Sequence, residues 1–554
     1  MVVSVLPPNR KGVDAFSTKF ALLQDNWDDF SFKTLYHLYH QVGGKAPLLI
    51  GSVKILRLGQ RKGEPIQITQ PFEALGPSYC SVGNSLDYYQ RLNELPQSDR
   101  DQILSILRDV VAAPQLVAIF GQEEGWRVSL FRDNDDPDGY LEDAAAIHSR
   151  NASDLPDLHL SFAFQPAGWS TPIQLYFDAP PPMFYLGTKR EIGPSKRQVL
   201  LPRRIMVLIG RNGSGKSTLL SRIARVAFAS PSDRASPQMT AVGTFEPASI
   251  GFMRIIAISY SAFENFSVPG LYETELEQIA SDIERGGGRY VYAGLRDIVG
   301  EVREQLVSSR ARPAAENARA LVSAEDRKAS TKLKSLEQLA DEFARLVDQI
   351  ASNGDNALFE AALAPILADA SFADVADASR IELLGSDPRT AFLGWSTGHK
   401  ITLHVIASLV AHTTRKSLVL FDEPETHLHP PLIAAVMNAI RIVLEERNAF
   451  AIVATHSPVV LQETLAQHVR IIRRIGSHFD VFVPERETFG ENVGTLTHDT
   501  FGLTSAATDF HEVLDLLISA FNTVEQVNQQ FTPGLSGQAL AYVLAGFARK
   551  AQIK

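Results

Sequence analysis

The run Met206-Val207-Leu208-Ile209 leads into Gly210-Arg211-Asn212-Gly213-Ser214-Gly215-Lys216-Ser217 and then Thr218-Leu219-Leu220 in a helical pattern. No other feature constrains the fold of this chain as strongly. A short apolar strand, a glycine-rich loop and a helix in that order form a P-loop, which belongs at the C-terminal edge of a buried, largely parallel sheet. The residue types follow from the chemistry of a polyphosphate. Glycines let backbone amides turn inward onto phosphate oxygens, while the helix N-terminus adds about half a positive charge. Lys216 is placed to neutralise the β and γ phosphates, and Ser217 offers a hydroxyl to Mg²⁺. The nucleotide contacts are therefore expected from Gly210, Arg211, Asn212, Gly213, Ser214, Gly215, Lys216, Ser217 and Thr218.

Two more strand ends carry chemistry. Leu418-Val419-Leu420-Phe421-Asp422-Glu423 is a buried-strand run closed by adjacent acids. On a parallel sheet Asp422 can reach the Mg²⁺ shell while Glu423 polarises a water attacking the γ phosphate. Ala451-Ile452-Val453-Ala454-Thr455 delivers His456 to the same edge, and Ser457-Pro458 ends that strand. Between them, Leu393-Gly394-Trp395-Ser396-Thr397-Gly398-His399-Lys400 opens the apolar helical run 401–410.

The remaining sequence suggests accessory parts. Residues 30–68 and 158–177 read as short antiparallel strands, with Trp126-Arg127-Val128-Ser129-Leu130-Phe131 as another strand by alternation. Ser85 caps a helical stretch, and Ile103, Leu104, Ile106, Leu107 and Val110 mark a second helix face. The stretch 270–390, dominated by Ala, Glu, Arg, Leu and Asp, reads as helical. Within it Leu336, Leu339, Phe343, Leu346 and Ile350 form a short heptad seam that can pair here or in a second subunit. In the tail, Phe510, Val513, Leu514, Leu517 and Ile518 share a helix face. The expected organisation is an N-terminal lobe over 1–200, a P-loop part over 201–268, a helical insertion over 269–390, a second head part over 391–500 and a helical tail over 501–554.

Composition narrows the partners. Of 554 residues, 45% are hydrophobic and 21% charged, and the net charge of −10 supplies no whole-molecule positive field for nucleic acid or anionic membrane. Two local basic groups remain: Lys189, Arg190, Lys196, Arg197, Arg203 and Arg204, and the smaller Arg470, Arg473 and Arg474. They read as a solvated face or a docking surface, with nucleic-acid contact as the alternative. Cys80 is the sole cysteine, so no intrachain disulfide forms. No apolar run approaches the ~20 residues that cross a bilayer, and a cytoplasmic location is expected.

In order, the P-loop, the Ser-x-Gly turn opening a helix, the Asp-Glu strand end and the His strand end resemble the head of the ATP-binding cassette (ABC) ATPases. That resemblance implies an α/β fold: a P-loop mixed sheet with helices, carrying an antiparallel β subdomain and a large helical insertion. It implies ATP and Mg²⁺ as ligands, Ser217 and Asp422 at the metal, and catalytic roles for Glu423, His456 and Lys216. Ser396 and Gly398 match the signature turn, although the usual Leu-Ser-Gly-Gly-Gln is not spelled out. In such heads the signature of one subunit caps the nucleotide held by another, so a head-to-tail dimer is implied. Ile258-Ser259-Tyr260-Ser261-Ala262-Phe263 falls where that superfamily has its Q-loop, but no glutamine is present.

The phrase Asp422-Glu423-Pro424-Glu425-Thr426-His427-Leu428-His429-Pro430 resembles the OLD, RecF and SMC-like branch. A head with inserted helices, followed by Glu487-Thr488-Phe489-Gly490-Glu491-Asn492-Val493-Gly494-Thr495-Leu496-Thr497, is similar to PtuA, the ATPase family of Septu-type anti-phage systems. The resemblance implies a homo-oligomer built on head-to-tail dimers that controls an HNH-type nuclease partner. A DNA-binding repair or chromosome-maintenance ATPase, closing on DNA as an ATP-dependent clamp, is the alternative.

Overall fold

The computed structural model describes the chain except residues 8–15, 26–30, 42–46, 65–66, 94, 133–136, 150–157, 179–200, 230, 249, 265, 311–325, 327, 329–330, 373–386, 502–508 and 553–554. It is an α/β protein of two compact units, Met1–Phe489 and Gly490–Lys554.

The first unit contains three sheets among the described residues. The N-terminal sheet runs in the order β1 (Val3–Leu6), β2 (Phe20–Gln24), β3 (Leu35–His40), β4 (Leu48–Arg57), β5 (Tyr79–Gly83). Its β1–β2 pair is parallel and the others antiparallel, as expected of 30–68. Helices Leu86–Asn93, Gln97–Ile106 and Pro137–Ser149 belong to the same lobe, whose core includes Phe20, Tyr36, Tyr88, Ile103 and Trp126.

The second sheet is antiparallel and small, ordered β7 (Ile173–Tyr176), β6 (Ser161–Pro166), β9 (Gly243–Glu246). Its Phe162, Phe164 and Phe245 pack into the same core as the P-loop helix Lys216–Phe228. Residues 158–177 thus belong to the head rather than to the N-terminal lobe in which the sequence placed them.

The central sheet has seven strands in the order β11 (Tyr290–Gly294), β10 (Ile255–Ser259), β12 (Leu418–Asp422), β13 (Phe450–Thr455), β8 (Ile205–Ile209), β14 (Val469–Ile475), β15 (His478–Phe482). Neighbours are parallel except β14–β15, and β8 and β13 are buried along their whole length. Strands covered on both faces need continuous apolar runs, which these sequences supply. In register, Ser259 lies beside Asp422 and Asp422 beside Ala454, so the polar ends of three strands finish at one edge.

Two expectations change and one left open is resolved. Trp126–Leu130 is a π-helical turn, not a strand; Trp126, Ser129 and Leu130 are buried with helical spacing. Lys54 donates to the Ser129 carbonyl at 2.6 Å, and the Ser129 hydroxyl meets Thr34 at 2.7 Å. The 269–390 stretch is helical over Glu273–Glu284, Ile298–Arg310, Leu336–Asn353 and Asn356–Leu367, but it also contributes β11 to the central sheet. Its seam is satisfied within the chain: Phe343, Leu346 and Ile350 are buried, and Phe343 stacks on Phe392 of helix Pro388–Gly394.

The second unit comprises helices Val493–Phe501, Asp509–Ala520, Val524–Asn528 and Gly537–Gln552 around Leu514, Ile518, Val527 and Val543. Of the residues expected on one helix face, Leu514 and Ile518 are buried while Phe510 and Val513 are exposed. Among the described residues no helix is long and apolar enough to cross a membrane.

Candidate functional site

β8 ends at Ile209 and the chain wraps through 210–215 into helix Lys216–Phe228. Glycine is required at two points of this wrap. A Cβ on Gly210 would collide with the Ile472 carbonyl of β14. Gly215 has φ +93° and would press a Cβ against Phe479 at 3.2 Å. Lys216, 4% exposed, curls back so that its ammonium donates to the carbonyls of Gly210 at 2.9 Å and Arg211 at 3.3 Å. Burial holds its pKa below the ordinary lysine value, while Glu423, Asp422 and Glu425 pull the other way. The Ser214 hydroxyl is buried and has no hydrogen-bond partner.

The Ser217 hydroxyl donates to Asp422 Oδ1 at 2.9 Å, joining the P-loop helix to the end of β12. The Asp422 carboxyl is pushed up to about 7, chiefly by burial, with Glu423 and Glu264 adding to the rise and the Ser217 hydrogen bond and Lys216 opposing it. Glu423 departs from the strand at φ +51°, a conformation costly for a non-glycine residue, and its amide donates to the Ala454 carbonyl at 2.8 Å. Its carboxylate lies 3.8 Å from His456 Nδ1.

The buried orphan hydroxyl of Ser214, an ammonium that donates to carbonyls and a carboxyl that burial and neighbouring acids keep above its ordinary range suit a phosphate chain and a divalent ion. Ser217 and Asp422 are the residues that would hold the metal.

Two acids without a sequence assignment stand here. Glu425 Oε1 accepts from His456 Nδ1 at 3.0 Å and from the His456 amide at 2.6 Å, and Oε2 accepts from the Thr455 hydroxyl at 2.8 Å. The hydrogen bond to Glu425 raises the His456 pKa. Glu264, just past β10 where a Q-loop was expected, lines a cavity of about 40 Å³ with Ser217 and Asp422. It accepts from Tyr292 at 2.7 Å and pairs with the nearly fully buried Arg296 at 2.9 Å. A search for glutamine passes over it. The available signal was an acid a few residues beyond an apolar strand.

Beside the P-loop, Trp169 of the β6–β7 turn stacks on Phe479 of β15, with ring centroids 4.4 Å apart and planes 9° apart. A Cβ on Gly215 would touch both rings. The Arg474 guanidinium lies 5.4 Å from the Phe479 centroid. The sequence offered no spacing that would unite these two aromatics.

Lys216, Ser217, Asp422, Glu423 and His456 are thus brought together. Arg211, Asn212 and Gly213 lie on the exposed part of the loop, and Thr218 follows on the helix. Ser396 and Gly398 make other contacts. The Ser396 hydroxyl caps helix Thr397–His412, accepting from the His399 amide at 3.3 Å, and Gly398 lies against the His427 carbonyl. Trp395 packs on Phe343 and Phe392, which braces the turn from the inserted helices. His429 Nδ1 accepts from the Leu432 amide at 3.3 Å and caps helix Pro430–Arg447.

The basic groups resolve differently. Residues 189, 190, 196 and 197 lie outside the described residues. Arg203 and Arg204 both pair with Glu445, at 2.7 and 3.1 Å. Buried Arg470 donates to the carbonyls of Gln174, Gln467 and Val469. These three arginines fasten the head internally and do not form a solvated face.

Residues 205–462 match the family model described as "AAA domain, putative AbiEii toxin, Type IV TA system". The chain is similar to Protein ea59 of Escherichia phage lambda, with 28% identity over 540 residues covering 94% of each chain. Solved structures with some likeness include one described as "an inward-facing conformation of a putative metal-chelate type ABC transporter". It has 13% identity and a TM-score of 0.25, covering 58% of this chain and 83% of that one. Another is the SMC head bound to the C-terminal winged-helix domain of ScpA, at 12% identity and a TM-score of 0.25, covering 58% and 96%.

Proposed function

We propose that this chain binds and hydrolyses ATP with Mg²⁺, using Lys216 on the phosphates, Ser217 and Asp422 at the metal, Glu423 as the base that orients the attacking water, and His456 at the γ phosphate. The observation that carries the reading is the junction of P-loop and β12: the 2.9 Å Ser217–Asp422 hydrogen bond, with Lys216 behind it and Glu423 turned out of the strand beside it. When bound, Mg²⁺ supplies charge neutralisation between the phosphates and orders their oxygens. Lys216 is already desolvated, so its attraction to phosphate is little screened. Glu423 accepts a proton from water at a carboxylate not consumed by a closer partner. The Trp169–Phe479 pair offers a flat apolar surface beside the loop on which the adenine ring stacks.

Ser396 and Gly398, at a helix N-terminus, complete the site of a second subunit, so ATP closes a head-to-tail dimer. The resemblance to PtuA supports a finer reading: this assembly is the engine of an anti-phage complex and its nucleotide state controls a partner nuclease. Copurification of a small HNH-type protein from native cells tests that reading. The engine itself is tested by Glu423→Gln, which keeps size and hydrogen-bonding reach but removes the basic charge. ATP affinity should survive while hydrolysis falls by about 10²–10⁴. Sizing should then show a larger assembly in ATP than in ADP. Wild-type turnover in this variant, or an assembly indifferent to nucleotide, would remove Glu423 and the sandwich from the reading.

A further inference from the structure

The His456 ring is held by Glu425 rather than by the proposed base: Nδ1 lies 3.0 Å from Glu425 and 3.8 Å from Glu423. Glu425 is well built for this hold. Its side chain is 9% exposed, and Oε1 receives both the Nδ1 proton and the His456 main-chain amide. Oε2 receives the hydroxyl of fully buried Thr455, whose oxygen in turn accepts the Ser457 amide at 2.9 Å. Burial alone would raise the Glu425 carboxyl, but these donors hold it below the usual glutamate value, so it is an ionised, acceptor-only group.

An acceptor-only partner fixes the tautomer. Nδ1 must carry the proton, and Nε2 is left as the nitrogen available to a nucleotide.

We propose that Glu425 is a positioning residue: it clamps His456 through Nδ1 so that Nε2–H is presented as a cationic donor to the γ phosphate, and it thereby leaves the Glu423 carboxylate free for water. The proposal rests on the ATPase reading for the role of the phosphate, but the clamp itself is a property of this chain. The ionisable groups facing the ring are Glu425 and Glu423 from the loop after β12 and Lys216 from the P-loop helix. The two acids favour the imidazolium and the lysine opposes it, so in a clamped ring the charged form persists to higher pH than in a free histidine. An isolated imidazole also prefers its neutral proton on Nε2, so a neutral Nδ1–H form would be the signature of the clamp.

Histidine-labelled protein provides the test, with the His456 resonance, one of 14 histidines, assigned as the signal lost in His456→Gln. Wild-type His456 should titrate above the ordinary histidine range and become the Nδ1–H tautomer when neutral. In Glu425→Gln it should titrate about one pH unit lower, because the amide removes the anionic acceptor. In parallel, ATP affinity should stay within about twofold, while kcat falls about tenfold and its alkaline limb moves to lower pH. A wild-type ring that is Nε2–H when neutral overturns the clamp without any variant. So does an unchanged titration in Glu425→Gln, or a kcat loss of equal size at every pH. Absence of ATP turnover in the wild type would strike at the ATPase reading, and the titration would still judge Glu425.

Discussion

Among the described residues two carboxyls are pushed up to about 7, Asp422 in the head and Asp109 in the N-terminal lobe. By titration alone they are twins. Their surroundings separate them. Asp109 is fully buried and accepts from the Tyr89 hydroxyl at 3.1 Å and the Val111 amide at 2.9 Å, inside a core of Tyr88, Tyr89 and Val110. Its donors are neutral, and they close the turn after helix Gln97–Ile106. Asp422 sits at a strand end beside a small cavity with a hydroxyl, an ammonium and two further carboxylates around it. A perturbed acid marks a site when its neighbours are charged and face a space a ligand can enter. When they are neutral hydrogen-bond donors packed in a core, it is part of the scaffold.

The largest test of that contrast is Lys216→Ala. In the proposed reading the head's buried ammonium is the main counter-charge for phosphate, so ATP affinity measured by calorimetry should fall at least about 100-fold, roughly 3 kcal/mol. Unchanged affinity would mean that the charged surroundings of Asp422 serve the fold, as those of Asp109 do. A smaller effect is expected at Trp169→Ala. Removing one ring of the stacked pair should weaken ATP about tenfold, within the ~1–3 kcal/mol typical of a base on an aromatic platform. Binding of inorganic tripolyphosphate should be unaffected. Equal loss for both ligands would make Trp169 a support for the Gly215 backbone.

The same contrast explains what the sequence made legible. Glycines, a lysine and acids at strand ends are what polyphosphate chemistry would demand, so the α/β class could be read from them, and the structure brings the candidates Ser217 and Asp422, and Glu423 and His456, next to one another. Glu425 was in plain view within Asp422-Glu423-Pro424-Glu425, but its partner lies on another strand and only the register of β12 with β13 brings them together. Glu264 and Trp169 depend likewise on loops whose direction no local pattern encodes. The N-terminal lobe was harder. Over six residues, Trp126-Arg127-Val128-Ser129-Leu130-Phe131 alternates like a strand, and only tertiary burial reveals helical spacing. β11, Tyr290-Val291-Tyr292-Ala293-Gly294, carried a strand signal that the helical composition of its long surroundings averaged away. Arg203, Arg204 and Arg470 looked like a surface because a charge cluster in sequence says nothing of the glutamate and carbonyls that bury it.

The smallest effect on ATP handling is expected at Asp109→Asn, which sharpens the comparison from the scaffold side. In the unfolded chain an aspartate titrates near about 3.9, whereas folded Asp109 holds its proton to about 7. Between those values the unfolded state has released a proton that the folded state retains. Stability therefore falls as pH rises through this window and levels off above it. Between pH 5 and pH 8 the carboxyl should cost roughly 2–3 kcal/mol that asparagine does not. The thermal midpoint of Asp109→Asn should thus gain on the wild type as pH is raised from 5 to 8, whatever the offset between them at pH 5. ATP affinity and turnover should match the wild type at every pH. A midpoint difference independent of pH would mean that Asp109 is ionised in its core, so its neutral donors suffice to hold a charge and the distinction from Asp422 loses its basis. A loss of turnover with intact folding would bring the N-terminal lobe into the catalytic cycle.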